Sequence, residues 1–227
     1  MCFTPTISLL TAVIEFTIAT IILIFFRKSL INRFFVSLIY FLGLYQFTEF
    51  MLCISNNPLL WSKFGFIAYS FLPGIAIYYI SKYTFKNAKQ KYLRLIYLLP
   101  IMFSVIALAF GEFITKVECS QFFVIGTNML WTISPVLHSV YQVYYGGSII
   151  LASIFLLHKM KYEKNKTKKK IQISILTAIL ISLVPALILI TILPSLEIYF
   201  PSIYCEFAIL FSIAALIAAQ LDKKLKK

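Results

Sequence analysis

Acidic side chains are scarce in this sequence: 8 Asp and Glu stand against 21 Lys and Arg in 227 residues, and there are only 2 His. That scarcity removes most acid-base and metal chemistry. No His pair suits haem or a membrane metalloprotease, and neither a His-Glu-x-x-His nor a Glu-Glu motif occurs. No Cys-x-x-Cys occurs and neither His lies at ligand spacing from a cysteine, which argues against zinc. A phosphate-binding glycine loop is missing, and so is any nucleophile placed beside a base. No lysine falls within the last apolar run, which excludes a retinal Schiff base there. The reading is therefore non-enzymatic, with no cofactor and no metal. Charge of any sign is also sparse: 13% of residues are charged and 61% hydrophobic, a balance that a soluble chain of this length cannot hide in one core.

What is present is a series of long apolar runs, at about residues 5 to 26, 34 to 54, 63 to 82, 93 to 112, 135 to 158, 171 to 193 and 200 to 221. A hydrocarbon core of about 30 Å needs about 20 helical residues per crossing, and each run fits. Nineteen of the 21 positive residues lie in four stretches, Arg27 to Arg33, Lys82 to Arg94, Lys159 to Lys170 and Lys223 to Lys227, which alternate with gaps holding only Lys63 and Lys116. Positive residues mark the cytoplasmic side of short loops. The expectation is one all-α membrane domain over residues 1–227, a seven-transmembrane helix bundle with its N-terminus outside and its C-terminus in the cytoplasm. The first run has no positive n-region and no evident cleavage site, so it is read as a span and not a signal peptide. The net charge of +13 flanks the spans and lines no groove, which points to anionic lipid head groups and away from nucleic acid.

The longest outer connection, Gly111 to Ser134, suggests a β-hairpin between helices 4 and 5, with Val117 to Val124 and Asn128 to Ile133 as strands about a turn at Ile125-Gly126-Thr127. An irregular interfacial loop is the alternative. Lys159 to Lys170 reads as a solvated charged linker, and its Asn165-Lys166-Thr167 triplet as a chance glycosylation match on the inner side. Pro73, Pro100 and Pro185 fall inside the third, fourth and sixth runs, where each removes a backbone hydrogen bond.

Ionisable groups inside a membrane are costly unless they face a bundle interior or cavity, so each is a candidate site. Glu15 lies deepest, on one helical face with Ser8 and Thr11. Gln46 and Glu49 occupy the outer part of the second span, and Glu206 the outer end of the seventh, one turn from Ser202. On the fifth span His138, Tyr141, Gln142 and Tyr145 follow the i, i+3, i+4, i+7 rule. These eight, Glu15, Gln46, Glu49, His138, Tyr141, Gln142, Tyr145 and Glu206, are the candidate ligand-binding residues of a pocket in the outer half, with an interhelical hydrogen-bond network as the alternative. All four cysteines, Cys2, Cys53, Cys119 and Cys205, map to the outer side, where disulfides can form; the sequence does not choose among the three pairings, or between bridging and simple packing.

Trp61 before the third span, Pro73 followed by Tyr83-Thr84, Pro100, Gly126, the aromatic fifth span with Tyr141 and Tyr144, and Lys168-Lys169-Lys170-Ile171-Gln172 followed by Pro185 together give a resemblance. The chain resembles, over nearly its whole length, the N-terminal seven-transmembrane sensory region of prokaryotic histidine kinases and related signalling proteins. That resemblance implies a sensor in a prokaryotic plasma membrane, taking a small or lipidic ligand. Only six residues follow Leu221, leaving no room for a phosphoacceptor helix or ATP-binding domain, so the expectation is signalling through a separate cytoplasmic or membrane partner. The alternatives are a transporter or accessory transport subunit using the intramembrane acids, and a membrane enzyme acting on lipid. Matched inverted repeats, the usual mark of transporters, are not visible.

The partition of positive charge generates a topology prediction. Reporter fusions or cysteine accessibility should place Lys164 and Lys226 inside and Gly126 outside, and a translocated Lys226 would refute the seven-span reading.

Overall fold

The computed structural model describes residues 5–26, 29–85, 93–111, 113–119, 124–128, 134–192 and 204–225, with side chains described except at 115–119, 124–128, 182–192 and 204–207. The described residues form seven α-helices: α1 (Pro5–Phe25), α2 (Leu30–Ile54), α3 (Pro58–Thr84), α4 (Leu98–Ala109), α5 (Pro135–Lys161), α6 (Lys166–Ile192) and α7 (Tyr204–Lys224). A 3-10 turn, Leu95–Tyr97, leads into α4, and a two-stranded antiparallel hairpin of β1 (Ile114–Cys119) and β2 (Val124–Asn128) follows it. Among the described residues α1, α2, α3 and α5 are each long and apolar enough to cross a membrane, and the helix beginning at Leu95 is apolar but shorter. This is a helical membrane protein.

Local sequence sets the helix starts. Ser29, Asn57 and Ser134 each accept a hydrogen bond from a backbone N–H three residues on, at Asn32, Leu60 and Leu137. Pro58 and Pro135 then occupy the first helical position, where the missing N–H costs nothing. Asn165 does the same for α6, accepting from Thr167 and Lys168 at 2.9 and 3.1 Å. The triplet around Asn165 is thus a helix start, and the basic stretch 159–170 consists of two helix ends joined by a short turn at Tyr162 to Asn165, not an extended linker.

Two other expectations shift. The hairpin lies where the sequence places one, but Gly126 sits within β2 opposite Val117 and not in the turn, and the second strand is Val124–Asn128; residues 129–133 of the expected strand lie outside the described residues. The β-branched run around Gly126 satisfies a ladder as readily as a turn, and the sequence alone does not separate the two. Pro100 is the third residue of α4, and the fourth run changes from α-helix at 93–94 to the 3-10 turn Leu95–Tyr97 just before it, the irregularity that a proline within a helical run imposes.

Helices α2, α3, α5, α6 and α7 close a ring of neighbours, with α1 seated on α2 and α7, and α4 and strand β1 on α3. Small residues let the helices approach. A Cβ on Gly43 would meet the Phe16 ring at 2.9 Å, and one on Gly65 would meet Thr48 Oγ1 at 2.9 Å. Ala208, Ser212, Ala215 and Ala219 are buried along α7 at helical spacing. Ser174 Oγ reaches the Ala214 carbonyl at 3.4 Å and so joins α6 to that segment.

Lys63 is buried although it is a lysine. Its Nζ donates to the Phe110 carbonyl at 2.7 Å, at the C-terminal cap of α4, where a positive charge complements the helix dipole. Lys63→Met keeps the stem and removes the donor. Its expected cost is about 1 to 2 kcal/mol, read as a lower thermal unfolding midpoint together with faster hydrogen exchange at the Phe110 amide.

Candidate functional site

The buried polar groups of the candidate site lie on α1, α2, α3 and α5. Ser8, Thr11, Ala12 and Glu15 form the buried face of the first half of α1, as their shared spacing requires. Glu15 is 0% exposed, and neither of its carboxyl oxygens has a hydrogen-bond partner among the described residues. Its charged neighbour is Glu49 on α2, also buried. Tyr45, one turn before Glu49, donates its hydroxyl to the Glu49 carboxyl, and Gln46 is fully buried on the same face. Two carboxyls in one apolar interior, one of them with no donor, form a site that needs a positive or donating group; the described protein atoms do not supply one to Glu15.

From Tyr45 the polar path continues into α3 and α5. The Tyr45 and Tyr69 rings meet edge to face, 5.9 Å between centroids. The Tyr69 hydroxyl is hydrogen-bonded to that of Tyr141. Tyr141 lies 3.1 Å from Ser70 Oγ, which is itself 2.7 Å from the Phe66 carbonyl. Ser70 has one hydroxyl proton and spends it on Phe66, so Tyr141 donates to Ser70 and Tyr69 donates to Tyr141. Phe66 stacks on Tyr141 while Phe103 meets it edge-on, with centroids at 5.4 and 4.9 Å. These rings hold the Tyr141 hydroxyl in one place.

The adjacent turn of α3 carries a further feature. Pro73 has no N–H, so the Tyr69 carbonyl loses its helical partner. At the next rung, the Tyr144 hydroxyl donates to the Ser70 carbonyl at 2.9 Å. Ser70 and Gly74 are i and i+4 in α3, so the phenol lies against that rung of the helix, beside the proline. The approach depends on glycine, because a Cβ at residue 74 would stand 2.9 Å from that hydroxyl.

The eight candidate residues are thus not equivalent. Glu15, Gln46 and Glu49 lie together on α1 and α2, and Tyr141 and Tyr145 join them through Tyr69, whose ring lies 6.4 Å from that of Tyr145. His138 and Gln142 are only half-buried, on the flank of α5. The face of α5 turned inward holds Tyr141, Tyr144, Tyr145 and Ser148, so Tyr144 takes a place that the polar-stripe reading gave to His138 and Gln142. Tyr45, Tyr69, Ser70 and Tyr144 were missed because tyrosine and serine look like packing residues in an aromatic chain. The signal that could have found two of them is Pro73, which frees the carbonyl four residues earlier and marks that turn of α3 for a side-chain partner.

The Glu206 side chain lies outside the described residues. Cys53 is disulfide-bonded, and no free cysteine occurs among the described residues. Cys2 and the side chains of Cys119 and Cys205 lie outside the description. Among the described residues no group of three or more His, Cys, Asp or Glu is placed to hold a metal ion.

The close approach of the Tyr144 phenol to Gly74 generates a double-mutant prediction. Gly74→Ala should destabilise the wild type because the new methyl meets the Tyr144 hydroxyl, whereas in a Tyr144→Phe background the same change should cost little. The coupling expected from thermal or denaturant unfolding in detergent is about 1 kcal/mol or more, and strict additivity would show that the hydroxyl does not lie against Gly74.

No family model, curated protein or solved structure matches this chain, so its functional reading stands on the residues and geometry described above.

Proposed function

We propose that the chain is a seven-span sensor of the prokaryotic plasma membrane that takes a small or lipidic ligand in the outer half of its bundle and signals through a separate partner on the cytoplasmic side. The resemblance to histidine kinase N-terminal sensory regions supports this reading, and one observation carries it: Glu15 is fully buried and its two oxygens lack any hydrogen-bond partner among the described residues. A ligand with an N–H, an O–H or a positive group would remove that cost on binding, which gives the site differential affinity for an occupied state. The hydrogen-bonded tyrosines beyond Glu49 give the occupied state a route from α1 and α2 into α3 and α5. At the opposite end of α3, Gln172 Nε2 donates to the Tyr83 hydroxyl at 3.0 Å, so movement of α3 reaches α6 near the inner face.

Transport of a proton or cation is the second reading, favoured by the pairing of Glu15 with Glu49 in one apolar interior. Substitution at Glu15 separates the two. Purified in mild detergent, the wild type is expected to retain a small-molecule or lipid adduct in native mass spectrometry. Glu15→Leu should lose it, and Glu15→Gln, which keeps shape and hydrogen bonding, should keep it. Loss in both variants, with ion-driven flux across wild-type proteoliposomes, would favour transport. Equal adducts in all three proteins at equal thermal stability would exclude Glu15 from the site.

A further inference from the structure

Helices α4 and α5 both rest on α3, and on the outer surface of the bundle they leave a groove of about 500 Å³ between them. That volume falls within the range of roughly 300 to 1,000 Å³ usual for small-molecule sites. Leu99 on α4 and Val136, Val140 and Val143 on α5 form its walls, Ser139 is its one small polar residue, and Tyr144 lines it as well. Val136 and Val143 are 70% and 72% exposed, which in a helix read as crossing a membrane means contact with hydrocarbon.

The chemistry of the lining selects the occupant. Among the described residues no charged group faces the groove, and the Tyr144 hydroxyl is already committed to Ser70, so a polar head group finds almost nothing to bind. Helices that associate in lipid do so over glycine, alanine and serine, which let backbones approach. Branched side chains dominate here, which disfavours a second helix packed into the groove. A single flexible hydrocarbon chain meets neither obstacle.

We propose that this groove binds one acyl chain of a membrane lipid and that its occupancy is read through Tyr144. A chain lying against the Tyr144 ring holds the phenol on the Ser70 carbonyl of α3. With the groove empty the ring is free to turn outward, which withdraws that hydrogen bond from the turn next to Pro73. The bistable element is this one contact between α5 and α3, and a lateral ligand biases it. This site is distinct from the one around Glu15 and does not depend on it.

The test uses the full chain in phospholipid nanodiscs containing a lipid with a photoreactive diazirine in the middle of one acyl chain. Adducts are expected at Leu99 and within 136–143 several-fold above those at Val105 and Ile154, which are comparably exposed elsewhere on the bundle. Joint Val140→Phe and Val143→Phe substitution should reduce the groove adducts several-fold and leave the others unchanged. Hydrogen exchange of the 70–77 segment should differ between these nanodiscs and a rigid sterol detergent for the wild type, and not for Tyr144→Phe. Labelling no higher than at Val105 and Ile154, or a cross-link to a second copy of the chain in its place, overturns the site. Enriched labelling with exchange that differs equally in wild type and Tyr144→Phe, or in neither, overturns the reading through Tyr144.

Discussion

The constraint from which the interior follows is that lipid offers no partner to an open backbone group, so a helix broken by proline must be repaired by its neighbours. Pro73 removes one backbone bond from α3 at the Tyr69 carbonyl, and α5 brings its hydroxyls to the residue beside it: the Tyr144 hydroxyl donates to the Ser70 carbonyl, and Tyr141 reaches Ser70 Oγ. Glycine at 74, phenols one turn apart on α5, and the Phe66 and Phe103 rings that hold Tyr141 all serve that junction. The contact between α3 and α5 is thereby specific in register. Sliding α5 by one residue would take the Tyr144 hydroxyl from the Ser70 carbonyl and the Tyr141 hydroxyl from Ser70 Oγ, at a cost of about 1 to 3 kcal/mol for each buried group left unpaired.

Glu15 is the opposite case. Where α3 is over-supplied with hydroxyls, α1 buries a carboxyl for which the described residues offer no donor. Packing gives no reason for it, since an apolar residue at 15 would fill the same space without the desolvation penalty. A fold that keeps such a group either closes around a missing partner or exchanges partners during its cycle, and both the sensing and the transport readings are versions of that statement.

Much of the architecture was legible from hydropathy. Each of the seven apolar runs overlaps one of α1 through α7, and four of those helices, α1, α2, α3 and α5, are long and apolar enough to cross a bilayer. Helix starts at Asn57-Pro58 and Ser134-Pro135 were equally written in the sequence. Rotation of the helices was not. On α5 nearly every residue from 141 to 156 is compatible with either lipid or interior, so the polar pattern selected a face with His138 and Gln142, and packing selected one with Tyr144 and Ser148. Hydrophobic contrast fixes helix rotation in water; in lipid both faces are apolar, and the deciding information lies in size and shape at the crossings, such as Gly43 on Phe16 and Gly65 on Thr48.

The Lys63 bond to Phe110 reaches beyond helix capping. Lys63 and Phe66 occupy one turn of α3, and Phe66 packs edge-on against Phe113, which is 0% exposed, with ring centroids 4.7 Å apart. One helical turn therefore clasps both sides of the bend that leads from α4 into β1. The start of the hairpin is thereby mounted on α3 as a door on its post: the same helical turn carries the end of α4 and Phe113, the residue before β1, so α3, α4 and the strand keep a fixed relation to one another.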